Sequence, residues 1–313
     1  MTDPATPKTL LHGSTGQSSG SGLGSRAVRW AGRQIRALQW RRLERGAPRL
    51  LTLATANGRL TVNTGYRLMA QRLYVGREYE SYLIDSAIAE LRRRGMAAPD
   101  GTALDIGANI GVIGIALVLR SYAARVIAVE PEASNYELLL RNVRQNALTD
   151  AIQCERVALG ATDGPVLMEL SPDNWGDHRV RGPLGAAPGE YGESSRATVT
   201  VPASTLDGLL DRAGPAVGPL SLIWMDVQGF EGHVLAGGAR TIREGVPVVA
   251  EFWPYGIRRS GMDRDRFCRI VESLFREFVV LGGDPIAQPI GELQVMFDQL
   301  VSSTRHRNVL LLP

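Results

Sequence analysis

The stretch LDIGANIG, residues 104–111, joins a short apolar segment to a helical pattern. Residues 102–106 before the turn are typical of a buried strand, and residues 110–120 after it of a helix. The glycines let the backbone bend sharply and let a ligand approach it closely. In sheets of parallel strands, ligands bind beside such turns, at the carboxyl ends of the strands. The stretch therefore predicts a ligand site at the end of a first parallel strand.

Further strands and helices alternate downstream of this turn. The predicted strands are 102–106, 125–129, 152–159, 220–227, 246–253, 277–281 and 308–312, with helices at 110–120 and 133–146. This alternation predicts an α/β fold with a doubly wound, mostly parallel sheet over residues 96–313. Residues 171–195 interrupt the pattern with glycine, proline and charge, and they predict a long substrate loop.

An extension precedes this domain. Residues 1–25 are rich in Gly, Ser and Thr and predict a disordered tail. Residues 26–95 predict a basic helix at 26–45, a hairpin turning at Asn57-Gly58 and a helix at 78–94. The basic helix suits an anionic lipid, a nucleic acid or an anionic substrate, or it is a solvated helix that caps the domain or packs on a partner subunit.

Composition narrows the class of protein. The 313 residues carry a net charge of +3, and the apolar stretches reach about ten residues, whereas a membrane-spanning helix needs roughly 20. The two cysteines, Cys154 and Cys268, are far apart, which favours a reducing, cytoplasmic location without disulfides. The histidines are scattered, so no metal site is predicted from Cys/His spacing.

Charged residues around the turn indicate which cofactor it binds. Glu130, at the end of the second strand, is placed to accept the hydroxyls of a ribose. Asn109 stands where dinucleotide enzymes have glycine, and the carboxylate of Asp105 would repel a pyrophosphate. The pair suits S-adenosylmethionine, which carries an ammonium and a sulfonium, better than a nicotinamide dinucleotide. The alternative is that Asp105 and Asn109 only cap the following helix.

Several motifs occur in order between about Gly76 and Glu251: Tyr79-Glu80, the glycine turn, Val129-Glu130-Pro131 with Asn135, Val157-Ala158-Leu159, Ser204-Thr205-Leu206-Asp207 and residues 224–231. As a set they resemble the FkbM-type methyltransferases, a branch of the class I S-adenosylmethionine-dependent enzymes. Gln228 departs from the pattern, because many members have glutamate at this position.

The resemblance implies a class I fold with seven strands, the last antiparallel, and a methyltransferase acting mostly on hydroxyls of sugars, glycolipids or small metabolites. Carried over to this chain, it places one set of residues around the cofactor. Asp105 would hold the ammonium and Glu130 the ribose, and the set is completed by Glu80, Gly107, Asn109, Gly111 and Asn135.

Methylation of a hydroxyl needs a base near the acceptor oxygen. Asp226 is the first candidate, followed by Glu231 and His233, although a helix N-terminus also explains Glu231 and a structural role His233. Glu251, Asn174 and Trp175 are the predicted substrate contacts. The three acids at 226, 231 and 251 also form a possible Mg²⁺ site, but the glutamine at 228 argues against it.

The predicted partner is a small-molecule or sugar substrate, with no nucleic acid, no transmembrane segment and an oligomeric state left open. Peripheral membrane contact is possible through residues 26–45. Three alternatives remain: an N- or carboxylate-directed methyltransferase on the same fold, a nicotinamide-dependent oxidoreductase, and a non-catalytic binding module that uses the basic helix.

Overall fold

The computed structural model describes residues 22–172, 174–183 and 189–313. The first helix, α1 (Gly22–Leu43), begins before residue 26, so residues 22–25 belong to this helix and not to a disordered tail. The remainder of the predicted tail, residues 1–21, lies outside the described residues. Among the helices that are described, none has both the length and the apolarity that crossing a membrane requires.

The extension continues with the predicted hairpin, β1 (Leu50–Thr55) and β2 (Gly58–Asn63), and with two helices, α2 (Arg67–Gly76) and α3 (Ser81–Arg93). The sequence did not predict α2. Its N-cap residue, Tyr66, makes no side-chain capping bond, so the usual start signal of a helix is absent.

The remaining elements, in chain order, are β3 (Thr102–Ile106), α4 (Val112–Leu119), β4 (Arg125–Val129), α5 (Ala133–Gln145), β5 (Ile152–Glu155), β6 (Ala158–Leu159), β7 (Gly164–Leu170), β8 (Arg179–Val180), β9 (Ala197–Ser204), α6 (Leu206–Ala213), β10 (Leu220–Met225), α7 (Glu231–Gly237), α8 (Ala239–Ile242), β11 (Val248–Phe252), α9 (Pro254–Arg259), α10 (Arg264–Leu274), β12 (Glu277–Val280), β13 (Ala287–Pro289), α11 (Glu292–Leu300) and β14 (Arg307–Leu312).

The main sheet has the order β13-β12-β14-β11-β10-β3-β4-β5. Strands β11, β10, β3, β4 and β5 pair in parallel, and β14 pairs antiparallel with both β11 and β12. The mostly parallel α/β sheet is thus present, and the last strand of the chain is antiparallel as expected. Seven strands were expected, whereas the sheet formed by the described residues has eight, because β13 pairs with β12 at its edge.

Both faces of this sheet are covered by apolar side chains. Along β3, Ala103 packs into one core cluster and Leu104 and Ile106 into the other. A strand buried on both faces reads as a continuous apolar run, which is why its bounds could be predicted.

A second sheet, β6-β9-β7-β8, was not predicted. The expected strand 152–159 is divided: β5 ends at Glu155, and Ala158 begins pairing with β9 in the second sheet. The expected loop 171–195 contains β8 and two short 3₁₀ turns. Buried ion pairs hold this segment, since Arg179 and Arg196 both contact Asp177. A pattern of apolar residues gives no signal for a segment that is held by charge.

Two asparagines fix the position of the hairpin. Asn57, in the hairpin turn, donates from Nδ2 to the carbonyl of Tyr79 (2.9 Å) and accepts from its amide (3.0 Å). Asn142 of α5 is fully buried. Its Oδ1 accepts from the amide of Thr61 (2.7 Å), and its Nδ2 donates to the carbonyls of Thr61 (3.2 Å) and Ile110 (2.8 Å). The hairpin therefore has a fixed position beside the glycine turn.

Asn142→Ala is expected to lower the free energy of unfolding by about 3 kcal/mol, because it leaves buried backbone groups of β2 without partners. Urea denaturation measures this loss. The matched control is Asn146→Ala, since Asn146 also bonds to the hairpin at Arg59 but at an exposed position, where water replaces the lost bonds. We expect the control to lose about 1 kcal/mol. Equal losses in the two variants would contradict this account of the attachment.

Candidate active site

The turn after β3 is fixed by backbone contacts. The amides of Gly107 and Ala108 both donate to the carbonyl of Val129 at the end of β4 (3.0 Å each). Gly107 has a φ of 81°, and a Cβ at this position would lie 1.9 Å from the carbonyl oxygen of Asp226. No larger residue fits there. Gly111 forms the N-cap of α4 with a φ of 87°.

A narrow cavity of about 50 Å³ opens between this turn and the second sheet. Its lining, which defines the narrow cavity from here on, combines strand-end acids and amides with apolar groups: Ile106, Gly107, Asn109, Val129, Glu130, Pro131, Asn135, Val157, Ala158, Leu159, Met168, Trp175, Gly176, His178, Arg179, Val180, Asp226, Val227, Gln228 and Phe230. Four of the seven predicted cofactor residues line it: Gly107, Asn109, Glu130 and Asn135.

Glu130 lies at the polar end of the narrow cavity and is 4% exposed. Its Oε2 accepts from the amide of Asn109 (2.9 Å) and its Oε1 from the amide of Glu132 (2.8 Å). Burial raises the pKa of Glu130 to about 8, although these two backbone bonds lower it. A carboxylate oxygen can accept more than one hydrogen bond, so the hydroxyls of a ligand can be added to the two bonds already present.

Trp175 closes the narrow cavity. Its backbone carbonyl accepts from Nδ2 of Asn109 (3.4 Å) and of Asn135 (3.2 Å), and its ring lies 3.9 Å from that of Tyr66, centroid to centroid. The predicted substrate residue Trp175 is therefore beside the predicted cofactor residues. The predicted substrate residue Asn174 does not line the narrow cavity; it lines a second, larger cavity.

The wide cavity has a volume of about 480 Å³ and reaches from the same turn to the extension. It is lined by Leu68, Met69, Arg72, Tyr79, Glu80, Asp105, Gly107, Ala108, Asn109, Val112, Ile113, Ser171, Pro172, Asn174, Gly176, Asp177, Tyr191, Arg196, Trp224, Asp226, Gln228, Glu251, Trp253 and His306. It shares Gly107, Asn109, Gly176, Asp226 and Gln228 with the narrow cavity. These five residues form a wall that both cavities touch.

The wide cavity is acidic. Burial raises the pKa of Glu80 to about 8, with a further increase from nearby Asp226 and a decrease from Arg72. Burial also raises the pKa of Asp105 to about 7 and that of Asp226 to about 6. The pKa of Glu251 lies well above its usual value, first through burial and then through the charges of neighbouring acids. Such a group of acids favours a cationic ligand, which relieves their mutual repulsion.

Asp105 has two roles in this geometry. Its Oδ2 accepts from the amide of Gly114 in α4 (2.8 Å), which is the capping contact considered from the sequence. Asp105 also lines the wide cavity, as the cofactor assignment requires. The two interpretations are therefore compatible.

Gln228 connects two of the strand-end acids. Its Nε2 donates to Oδ1 of Asp226 (2.6 Å) and to Oε2 of Glu251 (3.1 Å). The residue has a φ of 56°, in the left-handed region. A glutamate at this position, as in many FkbM-type methyltransferases, would repel both acids, whereas the glutamine of this chain donates a hydrogen bond to each.

The two other predicted bases lie away from the cavities. Oε1 of Glu231 accepts from the amides of Val227 (3.1 Å) and Gly229 (3.3 Å), and so holds the turn after β10. His233 stacks on Phe230 at 4.1 Å, and its Nε2 lies 3.2 Å from Oγ of Ser260. Within the described residues, neither side chain lines the narrow or the wide cavity.

Several residues of the site were missed by sequence reasoning. Arg72 lines the wide cavity and Tyr66 packs on the ring of Trp175. Both belong to the extension, and no motif there marks them as part of a site. His178 lines the narrow cavity, and its Nδ1 accepts from the amide of Ser171 (3.0 Å), which leaves Nε2 as the protonated nitrogen. Burial lowers the pKa of His178 to about 4, so the ring is neutral at physiological pH. Its position in a glycine-rich, charged segment gave no signal.

Residues 105–277, more than half of the chain, match the family model described as the methyltransferase FkbM domain. No curated protein sequence matches the chain. The solved structure of methyltransferase FkbM from Methylobacillus flagellatus KT is similar, with 15% identity and a TM-score of 0.42. That match covers 79% of this chain and 58% of the other, so this chain spans little more than half the length of the Methylobacillus protein.

Two further structures are similar. P. horikoshii TYW2 in complex with MeSAdo has 13% identity and a TM-score of 0.40, over 85% of this chain and 71% of its own. Geranyl diphosphate methyltransferase in complex with GPP and sinefungin has 13% identity and a TM-score of 0.38, over 77% and 78%. At TM-scores this low, none of the three indicates what this chain binds or methylates.

Glu80→Gln is expected to reduce the pH dependence of stability. The pKa of Glu80 rises from 4.5 to about 8 on folding, so its proton is retained by the folded chain, and the free energy of unfolding falls as pH rises through this window. Glutamine does not titrate, so the variant does not lose stability in this way. The difference in free energy of unfolding between the variant and the wild type should therefore increase from about pH 5 to about pH 8 and then level off. Urea denaturation at several pH values measures it, with Glu137→Gln, at an exposed position of α5, as control. Parallel curves for Glu80→Gln and the wild type would contradict the assignment.

Proposed function

Because this chain belongs to the FkbM methyltransferase family, we propose that it transfers the methyl group of S-adenosylmethionine to a hydroxyl oxygen of a sugar, glycolipid or small metabolite. The family membership supports methyl transfer itself. The donor, the acceptor atom and the roles of individual residues are proposed from the chemistry of the two cavities.

The observation that carries the proposal is the wall shared by the two cavities. Asp226 lies in this wall, at the end of β10, with the narrow cavity on one side and the wide cavity on the other. Methyl transfer requires the donor and acceptor atoms to meet in line, and binding them in adjoining cavities supplies that proximity. The donor takes the narrow cavity and its mouth, and the acceptor takes the wide one.

The donor end is matched by chemistry. Glu130 accepts the ribose hydroxyls, and the apolar groups of Val157, Leu159 and Phe230 flank the adenine. Asp105 and Glu80, on the wide-cavity side of the turn, attract the ammonium of the amino-acid end. A pyrophosphate placed at the same turn would face these acids, which disfavours a nicotinamide dinucleotide.

The acceptor end supplies a base. The bound donor provides a methyl group on a positively charged sulfur, and a hydroxyl must lose its proton as its oxygen takes up that methyl. Asp226 accepts this proton on a carboxylate oxygen at the shared wall. Its pKa of about 6 is close to neutrality, where a base is both deprotonated and able to accept a proton.

An amine acceptor is the second candidate. The carboxylates of Glu80, Asp105 and Glu251 in the wide cavity attract an ammonium group as well as they attract the cofactor. An amine, however, must lose its own proton before it can react. A rate that rises with pH up to the pKa of the free amine identifies this case, whereas a hydroxyl acceptor follows the pKa of the enzyme base.

Two single substitutions test donor binding. Asp105→Asn keeps an oxygen that can accept from the amide of Gly114 but removes the charge, and Glu130→Gln removes one of the two acceptors for ribose. Each is expected to weaken S-adenosylmethionine binding at least about tenfold in calorimetry. Glu155→Gln, at the end of β5 and outside both cavities as described, is the control. Affinity like that of the wild type in both site variants would refute the donor site.

Asp226→Asn separates binding from chemistry. The asparagine retains an oxygen acceptor, so donor affinity should change by less than about threefold, while turnover of a hydroxyl acceptor falls by about 10²–10⁴. A panel of sugars and metabolites with a methyl-labelled donor finds the acceptor and measures the rate. His233→Gln should retain turnover, because its ring packs on Phe230 away from both cavities. Normal turnover in Asp226→Asn would exclude it as the base.

A further inference from the structure

Three acids meet behind the shared wall. Asp226 follows β10, Glu231 begins α7 and Glu251 lies within β11. One carboxylate oxygen from each lies within 4.8 Å of the oxygens from the other two. Six-coordinate Mg²⁺ holds oxygens at about 2.1 Å, so two ligands on opposite sides of the ion are about 4.2 Å apart. The three oxygens are therefore already close to the separation that one ion requires, and small rotations of the carboxylates complete the approach.

Glu231 provides the second observation. The residue is 1% exposed, and while its Oε1 holds the turn after β10, its Oε2 has no hydrogen-bond partner among the residues that the structure describes. An unpaired carboxylate oxygen in the interior is costly, because it has lost water and gained nothing in exchange. The cost is removed when a cation occupies the space between Glu231 and its two acidic neighbours.

In the part of the chain that the structure describes, few basic side chains pair with the carboxylates of the three acids. Among the ion pairs of the described residues, Glu251 has one, with Nε2 of His306 at 3.7 Å, and Asp226 and Glu231 have none. Arg179 and Arg196, two buried cations of the second sheet, are paired with Asp177 and Glu169. The charge of the three acids is left for a ligand.

We propose that Asp226, Glu231 and Glu251 bind one divalent cation of the Mg²⁺ or Mn²⁺ class behind the wall between the two cavities. Hard cations of this class prefer oxygen ligands and retain open positions for water and substrate. Asp226 and Glu251 line the wide cavity, so the ion reaches the cluster from solvent through that cavity.

The glutamine at 228 does not oppose this site. Its amide nitrogen bridges Asp226 and Glu251, but half a turn of the amide exchanges nitrogen for oxygen. The neutral oxygen is then a fourth ligand for the ion. In this arrangement the glutamine stabilises the acids in the metal-free chain and coordinates the ion in the loaded one. The sequence-based objection to a metal therefore does not hold.

The role of the ion, but not its binding, rests on the proposed function. An acceptor hydroxyl that enters the wide cavity takes an open position on the ion, which positions its oxygen and favours loss of its proton. The proton passes to the carboxylate oxygen of Asp226 that does not hold the ion, and the acceptor oxygen takes the methyl group as the bond between the methyl carbon and the donor sulfur breaks. Binding of the ion is measurable without donor or acceptor.

The experiment is a Mn²⁺ titration of the full chain after treatment with a chelator, with free Mn²⁺ followed by electron paramagnetic resonance. We expect saturable binding of one Mn²⁺ per chain, with competition by Mg²⁺. Glu251→Gln should weaken it at least about tenfold, and Gln228→Glu, which adds a carboxylate, should strengthen it about tenfold. The matched control is Glu80→Gln, which removes a carboxylate of the same cavity outside the cluster and should change affinity by less than about threefold.

The absence of saturable binding would overturn the inference. So would equal weakening in Glu251→Gln and Glu80→Gln, because that result indicates a diffuse negative field rather than coordination. Calorimetry of S-adenosylmethionine binding in the presence of chelator tests the proposed function separately. Mn²⁺ binding without donor binding removes the function and keeps the metal site, and the reverse result removes the metal site alone.

Discussion

The contact between the backbone of Gly107 and the carbonyl of Asp226 is the constraint on which the site depends. A side chain at Gly107 would stand 1.9 Å from that oxygen, and the amide of Asp226 donates to the carbonyl of Ile106 (2.9 Å). The turn after β3 and the turn after β10 are therefore held together by main-chain atoms. One thin wall separates the two cavities as a result, and its position does not depend on flexible side chains.

The second constraint is electrostatic. Parallel strands end at one edge of the sheet, and here the ends of β3, β4, β10 and β11 place Asp105, Glu130, Asp226 and Glu251 in a small buried volume. Burial makes each charge costly, and the neighbours increase the cost, so these acids hold protons well above their usual pKa. A cationic ligand reverses that balance and releases protons as it binds. Binding of a positively charged ligand would therefore stabilise the folded chain.

How much of this could be predicted from sequence differs between elements. Strands β3 and β4 were predicted to the residue because both faces are buried and their apolar runs are bounded by turns. The division of 152–159 between two sheets was not predicted, because the segment contains no glycine or proline that would mark a break. The segment around Asp177 is held by Arg179 and Arg196, and charge pairs across a sheet leave no periodic signal.

Within the site, too, some residues could be predicted from the sequence and others could not. Asp105, Glu130, Asp226 and Glu251 were predicted because strand ends and motifs identify them. Glu231 was predicted from its motif as a base, yet its Oε1 holds a turn, and only the structure shows that the other oxygen has no partner within the described part of the chain. The sequence marked Trp175 as a substrate contact, but nothing in it indicated Tyr66 of the extension, on which the ring of Trp175 packs.

The extension completes the wide cavity, and this bears on acceptor choice. The family match begins at residue 105, whereas Arg72, Tyr79 and Glu80 all precede it and line the wide cavity. The hairpin fixes them in place, because Asn57 holds the backbone of Tyr79 through two hydrogen bonds. The narrow cavity, by contrast, is built from the matched region alone. Under the proposed function, donor binding would therefore rest mainly on the matched region, with Glu80 added from the extension, and Arg72 would be the residue of the extension that contacts the acceptor.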